Sequence, residues 1–152
     1  MAEKIESKLI EDLMTQLFTL AGLSATATVE KGEESWNVAL ESDDTAILIG
    51  KRGQNLASLN RWLSSAVFAK TGEKFPIKVD VDNWRGHHEE RLVEMALKLA
   101  QKAKFSGQPQ KVTNLTPLER RVIHTALTGN DDVETFSEGV EPNRYLVISP
   151  KQ

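Results

Sequence analysis

The chain has no cysteine, which excludes disulfides and thiolate metal sites. It has no apolar run near the roughly 18 residues that a membrane span requires. Its first residues, Met1-Ala2-Glu3-Lys4, lack the basic-then-apolar order of a secretory signal. These absences lead us to expect a cytoplasmic protein with no membrane insertion. A basic overall charge is missing too, since the net charge is −3. Taken alone, that speaks against a polyanionic partner, but distribution matters more than the total. Residues 1–46 hold three Lys against ten Asp and Glu, a net of −7, while residues 47–152 hold sixteen Lys and Arg against twelve Asp and Glu, a net of +4. The basic excess begins at one short segment.

The hydrophobic fraction of 39% is enough for real cores, and 152 residues suit one domain or two small ones. Ile5, Leu9, Leu13, Leu17 and Leu20 recur at helical spacing, predicting an amphipathic helix over 3–21 that Gly22 ends. Ala25, Ala27 and Val29 alternate with polar residues, as do Trp36, Val38 and Leu40 beyond a Lys31-Gly32 turn, which predicts a hairpin. A short helical segment at 44–49, a glycine-rich turn, a helix over about 54–70 and a strand at Ile77, Val79 and Val81 complete the first half. Helices on one face of a three-stranded sheet would close a small core.

A junction is predicted at Asn83-Trp84-Arg85-Gly86, giving domains over 1–83 and 84–152. Leu92, Met95, Leu99 and Ala103 then give a second long helix over about 86–105, followed by a short strand at 111–113. Thr116-Pro117-Leu118-Glu119 places Thr at the N-cap, Pro at the first helical position and Glu two residues later, which forms a capping box. Val133–Phe136 and Tyr145–Ile148 read as paired strands.

Two constellations carry chemistry. The first is Gly50-Lys51-Arg52-Gly53, set between the apolar Ile47-Leu48-Ile49 and a helix whose stripe is Leu56, Leu59, Leu63 and Val67. Two glycines leave the backbone bare and two cations stand between them. A phosphodiester needs both: amide groups that it can approach and charge that cancels its own. Arg61, two turns on, either extends this patch or is a solvated surface residue. Ile47 and Ile49 are expected in the core rather than in a base-binding groove. The second constellation is Arg120 and His124, four apart and so on one helix face, with Arg121 beside them and Arg144 before the last strand. For His124, a structural hydrogen bond competes with ligand contact.

The order helix, strand, strand, helix, loop, helix, strand, with Gly-Lys-Arg-Gly between its two middle helices, resembles the type II KH domain, whose GXXG loop clamps about four nucleotides of a single strand. The second half, with Glu119-Arg120-Arg121-Val122-Ile123-His124 and Ser137-Glu138-Gly139 followed by Glu141-Pro142-Asn143-Arg144, resembles the R-x(3)-H domain. Together the two resemble the Jag family of bacteria, the SpoIIIJ-associated RNA-binding proteins. The likeness covers essentially the whole chain. It implies an α+β fold, a KH domain followed by a small α/β R-x(3)-H domain. It implies binding of single-stranded RNA, or single-stranded DNA, through Gly50, Lys51, Arg52, Gly53, Arg61, Arg120, Arg121, His124 and Arg144. It also implies pairing with a second, single-KH protein, and a role in cell elongation, division or cell-wall regulation. Many family members carry a further N-terminal domain, and this chain begins almost directly at the KH segment. The family's Met shortly before Glu-Arg-Arg is Leu115 here, a conservative change for packing.

His87 and His88 adjoin on a helix and diverge by roughly 100°, so they make no metal site and are expected at the surface. No cofactor is expected. No nucleophile with a base, nor convergent carboxylate pair, suggests catalysis. The competing function is a protein–protein adaptor or inhibitor whose basic loop meets an acidic partner.

Overall fold

The computed structural model describes residues 2–151, and side chains from residue 6 onward. The chain divides into two units between Trp84 and Arg85.

The first unit runs α1 (Ala2–Ala21), β1 (Ala25–Lys31), β2 (Trp36–Ser42), α2 (Thr45–Ile49), a single 3₁₀ turn (Lys51–Gly53), α3 (Gln54–Thr71) and β3 (Ile77–Val81). Strand β2 is central. It pairs antiparallel with β1, Val29 opposite Val38, and parallel with β3, Val38 opposite Val79. Period-two burial follows from that position: Trp36, Val38 and Leu40 on β2 and Ile77, Val79 and Val81 on β3 all face the core. Helices α1 and α3 cover the same face with Ile10, Met14, Phe18, Leu56, Leu63 and Val67. Asn60 on α3 ties helix to sheet, its Oδ1 accepting from the Val79 N–H at 2.8 Å. This is the type II KH arrangement.

The buried stripe of α1 overlaps the one expected but is rotated from it: Leu13 is buried and Leu9 packs partly on the core, as expected. Ile10, Leu13, Met14 and Phe18 are buried, whereas Leu20 is 87% exposed; Ile5 lies outside the described side chains. The helix has apolar residues on two adjoining faces, and sequence spacing does not say which one meets the sheet. α1 ends where expected: Gly22 adopts φ +66° and the Leu23 N–H returns to the Phe18 carbonyl at 2.9 Å, a left-handed glycine stop.

The second unit consists of α4 (Trp84–Ser106, from Arg85 on), β4 (Gln110–Val112), α5 (Pro117–Leu127), β5 (Val133–Glu138) and β6 (Tyr145–Pro150). The sheet order is β4-β6-β5, antiparallel throughout. Leu146 and Ile148 of β6 and Val133 of β5 pack with Leu92, Ala96, Ala100 and Ala103 of α4 and Ile123 and Leu127 of α5. Three alanines on one side of α4 let the helix lie close to its neighbours. On the opposite face of the sheet, the Tyr145 hydroxyl donates to Glu138 Oε2 at 2.8 Å and Lys111 Nζ lies 3.7 Å from the Tyr145 ring centroid. These contacts join all three strands. The fold is α+β, a KH domain followed by a small R-x(3)-H domain.

Candidate nucleic-acid interface

The glycine loop is shaped by the chain itself. Gly50 has φ +69° and ψ −175°, a conformation open essentially to glycine alone, and its N–H returns to the Ala46 carbonyl at 2.9 Å to end α2. Asn55 Nδ2 donates to the Ile47 carbonyl at 2.7 Å, so its amide fills the space beside Gly50, where an added Cβ would fall 2.5 Å from Asn55 Cγ. Arg52 and Gly53 both sit in the left-handed region, at φ +53° and +76°. The turn leaves Lys51 and Arg52 exposed. It ends at the start of α3, whose first turn has no side-chain cap and no carboxylate. Uncapped amides and the positive end of the helix dipole thus add to two cations.

Gly53 has a packing reason besides. It is buried, and a Cβ there would stand 2.3 Å from the Trp84 ring. Two penalties combine on Gly53→Ala: the collision with an indole that packs on the core, and a positive φ. We expect a loss of about 1–3 kcal/mol, measured by urea unfolding. A variant as stable as the parent would mean that Trp84 moves aside at little cost.

Ile47 is a correction to the sequence reading. It is 55% exposed beside the loop, while Ile49 packs partly on the core and Leu48 is buried. In a five-residue helix only one side can face inward, and Leu48 takes it. An apolar side chain therefore adjoins the two cations. Arg61 is exposed on α3, two turns from Gln54 on the same face.

In the second unit the structure separates residues that the sequence grouped. Arg121, His124 and Arg144 are exposed. Arg120 is not: its side chain is 7% exposed, Nη1 donates to the Leu115 carbonyl at 2.9 Å, and Nη2 pairs with Glu141 Oε1. The Arg of Arg-x-x-x-His thereby ties α5 to the 139–144 loop that carries Arg144. The His124 Nδ1 lies 2.6 Å from the Thr135 hydroxyl, linking α5 to β5 while the residue stays exposed. Nothing in the spacing of Arg120 and His124 distinguishes the buried one. The signal lies in Glu141, 21 residues from Arg120.

His88 is a second correction. It is half-buried, with Nε2 2.8 Å from Glu119 Oε1, whereas His87 is exposed and reaches Glu90 at 3.3 Å. Glu119 closes the capping box, accepting from the Thr116 N–H at 2.7 Å while Thr116 Oγ1 accepts from the Glu119 N–H at 3.2 Å. Burial pushes the Glu119 carboxyl up, but the Thr116 amide and hydroxyl bonds and His88 together outweigh it, and the net shift is below the ordinary 4.5. A depressed carboxyl contributes stability that is present above its unfolded value and lost as pH falls through its folded value. We therefore expect the second unit to lose stability as pH drops below 4.5, and Glu119→Gln to flatten that loss in melting curves taken at successive pH values.

Residues 7–81 match the KhpA/KhpB KH domain, and residues 90–150 match the R-x(3)-H domain. An RNA-binding protein KhpB of Clostridium symbiosum is 36% identical over 152 residues, covering 99% of this chain and 68% of that protein. The chain belongs to the KhpB family. This is the Jag family that the motifs pointed to. KhpB of Bacillus subtilis (strain 168) is 32% identical over 142 residues, covering 92% of this chain and 68% of its own length. KhpB of Streptococcus pneumoniae serotype 2 is 28% identical over 126 residues, 83% of this chain and 38% of that protein. Both matched domains thus lie where the two folded units do. Among the described residues, no helix is long and apolar enough to cross a membrane.

Proposed function

We propose that this chain is a cytoplasmic regulator that binds single-stranded RNA, with no catalytic role. Its domains are residues 1–83 and 84–152. The observation that carries this reading is the Gly50–Gly53 turn. Two exposed cations, Arg52 on left-handed backbone, stand between two glycines of positive φ at the uncapped start of α3, with exposed Ile47 alongside. Phosphates meet the loop and bases lie toward the apolar side. Arg61 extends the path, and Arg121, His124 and Arg144 supply contacts from the second domain. Gly50 and Gly53 act by shaping the loop. The relatives' name, RNA-binding protein, supports this choice of ligand. A second single-KH protein is the partner that the resemblance suggests, and a part in cell elongation or cell-wall regulation is the corresponding cellular role.

The net charge of −3 favours a second reading, an adaptor whose loop meets an acidic protein surface. Salt separates them. Each phosphate neutralised on a single strand adds about 0.7 to the slope of log affinity against log salt. Filter binding of single-stranded RNA over a salt series should give a straight line with a slope of about 2 or more, for three or more contacts. Absence of binding at low salt would leave the adaptor reading in its place.

A further inference from the structure

The second half of α4 presents a face that neither the glycine loop nor the Arg-x-x-x-His helix uses. From Met95 to Ser106 it carries no acidic residue. Leu97, Gln101 and Phe105 recur every four residues, so they form one stripe. Leu97 is 46% exposed and Phe105 is 85% exposed, an unusual position for an aromatic side chain that gains much from burial. Lys98 and Lys102 are exposed one turn apart beside that stripe, at about 6 Å between Cβ atoms. The stripe walls a groove of about 350 Å³, whose other side is the turn after α5 with Asn130 and Asp132. Lys104 Nζ pairs with Asp132 Oδ2 at 2.9 Å, and Lys151 Nζ donates to the Asn130 carbonyl at 2.6 Å. Lys104 is the lysine that lines the groove, and Asp132 neutralises it; the cations left to meet a ligand are Lys98 and Lys102, exposed on α4 beside the stripe rather than inside the groove.

An open aromatic face, an apolar wall, an amide on the far side and two exposed lysines flanking the stripe fit one occupant better than others. A nucleobase stacks on an aromatic ring whatever its identity, its edge takes hydrogen bonds, and its phosphates take the lysines. We propose that this groove is a base-stacking site for single-stranded nucleic acid: Phe105 and Leu97 hold a base, Gln101 and Asn130 contact its edge, and Lys98 and Lys102 meet the flanking phosphates. The inference rests on the reading of the chain as a single-strand binder and extends its footprint beyond both named motifs.

The test uses the whole chain and two RNAs, one of about four nucleotides, the reach of a KH loop, and one about five times longer. Phe105→Ala should weaken the long strand about fivefold to tenfold, the scale of one lost stacking contact, and leave the short one unchanged. Lys98→Glu with Lys102→Glu should do likewise and should lower the salt slope for the long strand by about 1.4, two contacts at ~0.7 each. All three side chains are exposed, so melting temperature should hold. Phe105→Trp gives a direct reading, since a base stacked on the indole quenches its fluorescence. Long-strand affinity unchanged in the Phe105 and lysine variants, or no quenching at saturation, overturns the proposal. It also leaves the patch to a protein partner. Binding that survives Lys51→Asp with Arg52→Asp would instead count against the glycine loop, and binding of no RNA by the unaltered chain would overturn both.

Discussion

Replacing Lys51 and Arg52 with Asp should abolish measurable binding of short single-stranded RNA and weaken long RNA by about a hundredfold or more, while the protein stays folded. Both cations become anions at the point where a phosphate would lie closest to bare backbone. On the proposed reading, two phosphate contacts are lost and the new carboxylates repel. Stability should hardly move, because both side chains are exposed and a surface substitution usually costs no more than about 0.5 kcal/mol. Arg52 is the position to watch, since its φ of +53° is one that Asp and Asn tolerate better than most residues. Affinity from filter binding, read beside a circular-dichroism melt, decides it. Parent-like affinity with an intact fold would remove the loop from the interface.

The second large effect concerns stability. Arg120→Ala should lower the melting temperature of the second unit by on the order of 10 °C, taking about 2 kcal/mol for the lost bonds and packing and a small domain's response to it. The guanidinium is almost wholly enclosed and makes two hydrogen bonds, one to a main-chain carbonyl and one to Glu141. Glu141 is itself half-exposed, so water takes back part of its charge and the cost falls short of breaking a fully buried pair. Arg120→Lys should rescue only part of it, because an ammonium cannot hold both acceptors in the same fork. RNA binding should then fall indirectly, through loosening of the loop that bears Arg144. Arg121→Ala, by contrast, should weaken long RNA with no change in melting. An Arg120→Ala protein that melts like the parent yet binds RNA poorly would return Arg120 to the contact surface.

These expectations change what the Arg-x-x-x-His pattern says about this chain. Spacing places Arg120 and His124 on one side of α5, but that side runs from the interior to solvent along the helix. Arg120 is at the end where the Leu115 carbonyl and Glu141 of the 139–144 loop hold it; His124 is at the open end, beside Thr135. Of the arginines in and around the motif, Arg121 and Arg144 are the exposed ones, and the motif's name omits both.

Much of the architecture was legible in the residues alone. Alternation at 25–29, 36–40 and 77–81 marked three strands, because a strand with one face on a core must alternate. Thr116, Pro117 and Glu119 marked the start of α5 to the residue, because a helix's first amides need partners that only a few side chains supply. Gly50-Lys51-Arg52-Gly53, between an apolar segment and an amphipathic helix, marked the loop. Each of these signals depends on neighbours within a few positions. Tertiary structure decided what depends on distant partners. It turned α1 so that Ile10, Met14 and Phe18 are buried beside the expected Leu13 while Leu20 is left exposed, since the sheet and α3 select the face. It turned Ile47 outward, because Leu48 takes the inward side of a one-turn helix. It paired His88 with Glu119 and Arg120 with Glu141, 31 and 21 residues apart, contacts that no periodicity encodes. Gly53 belongs to both accounts: its neighbours marked a glycine-rich turn, and only the Trp84 ring packed against it shows that a side chain there would also collide.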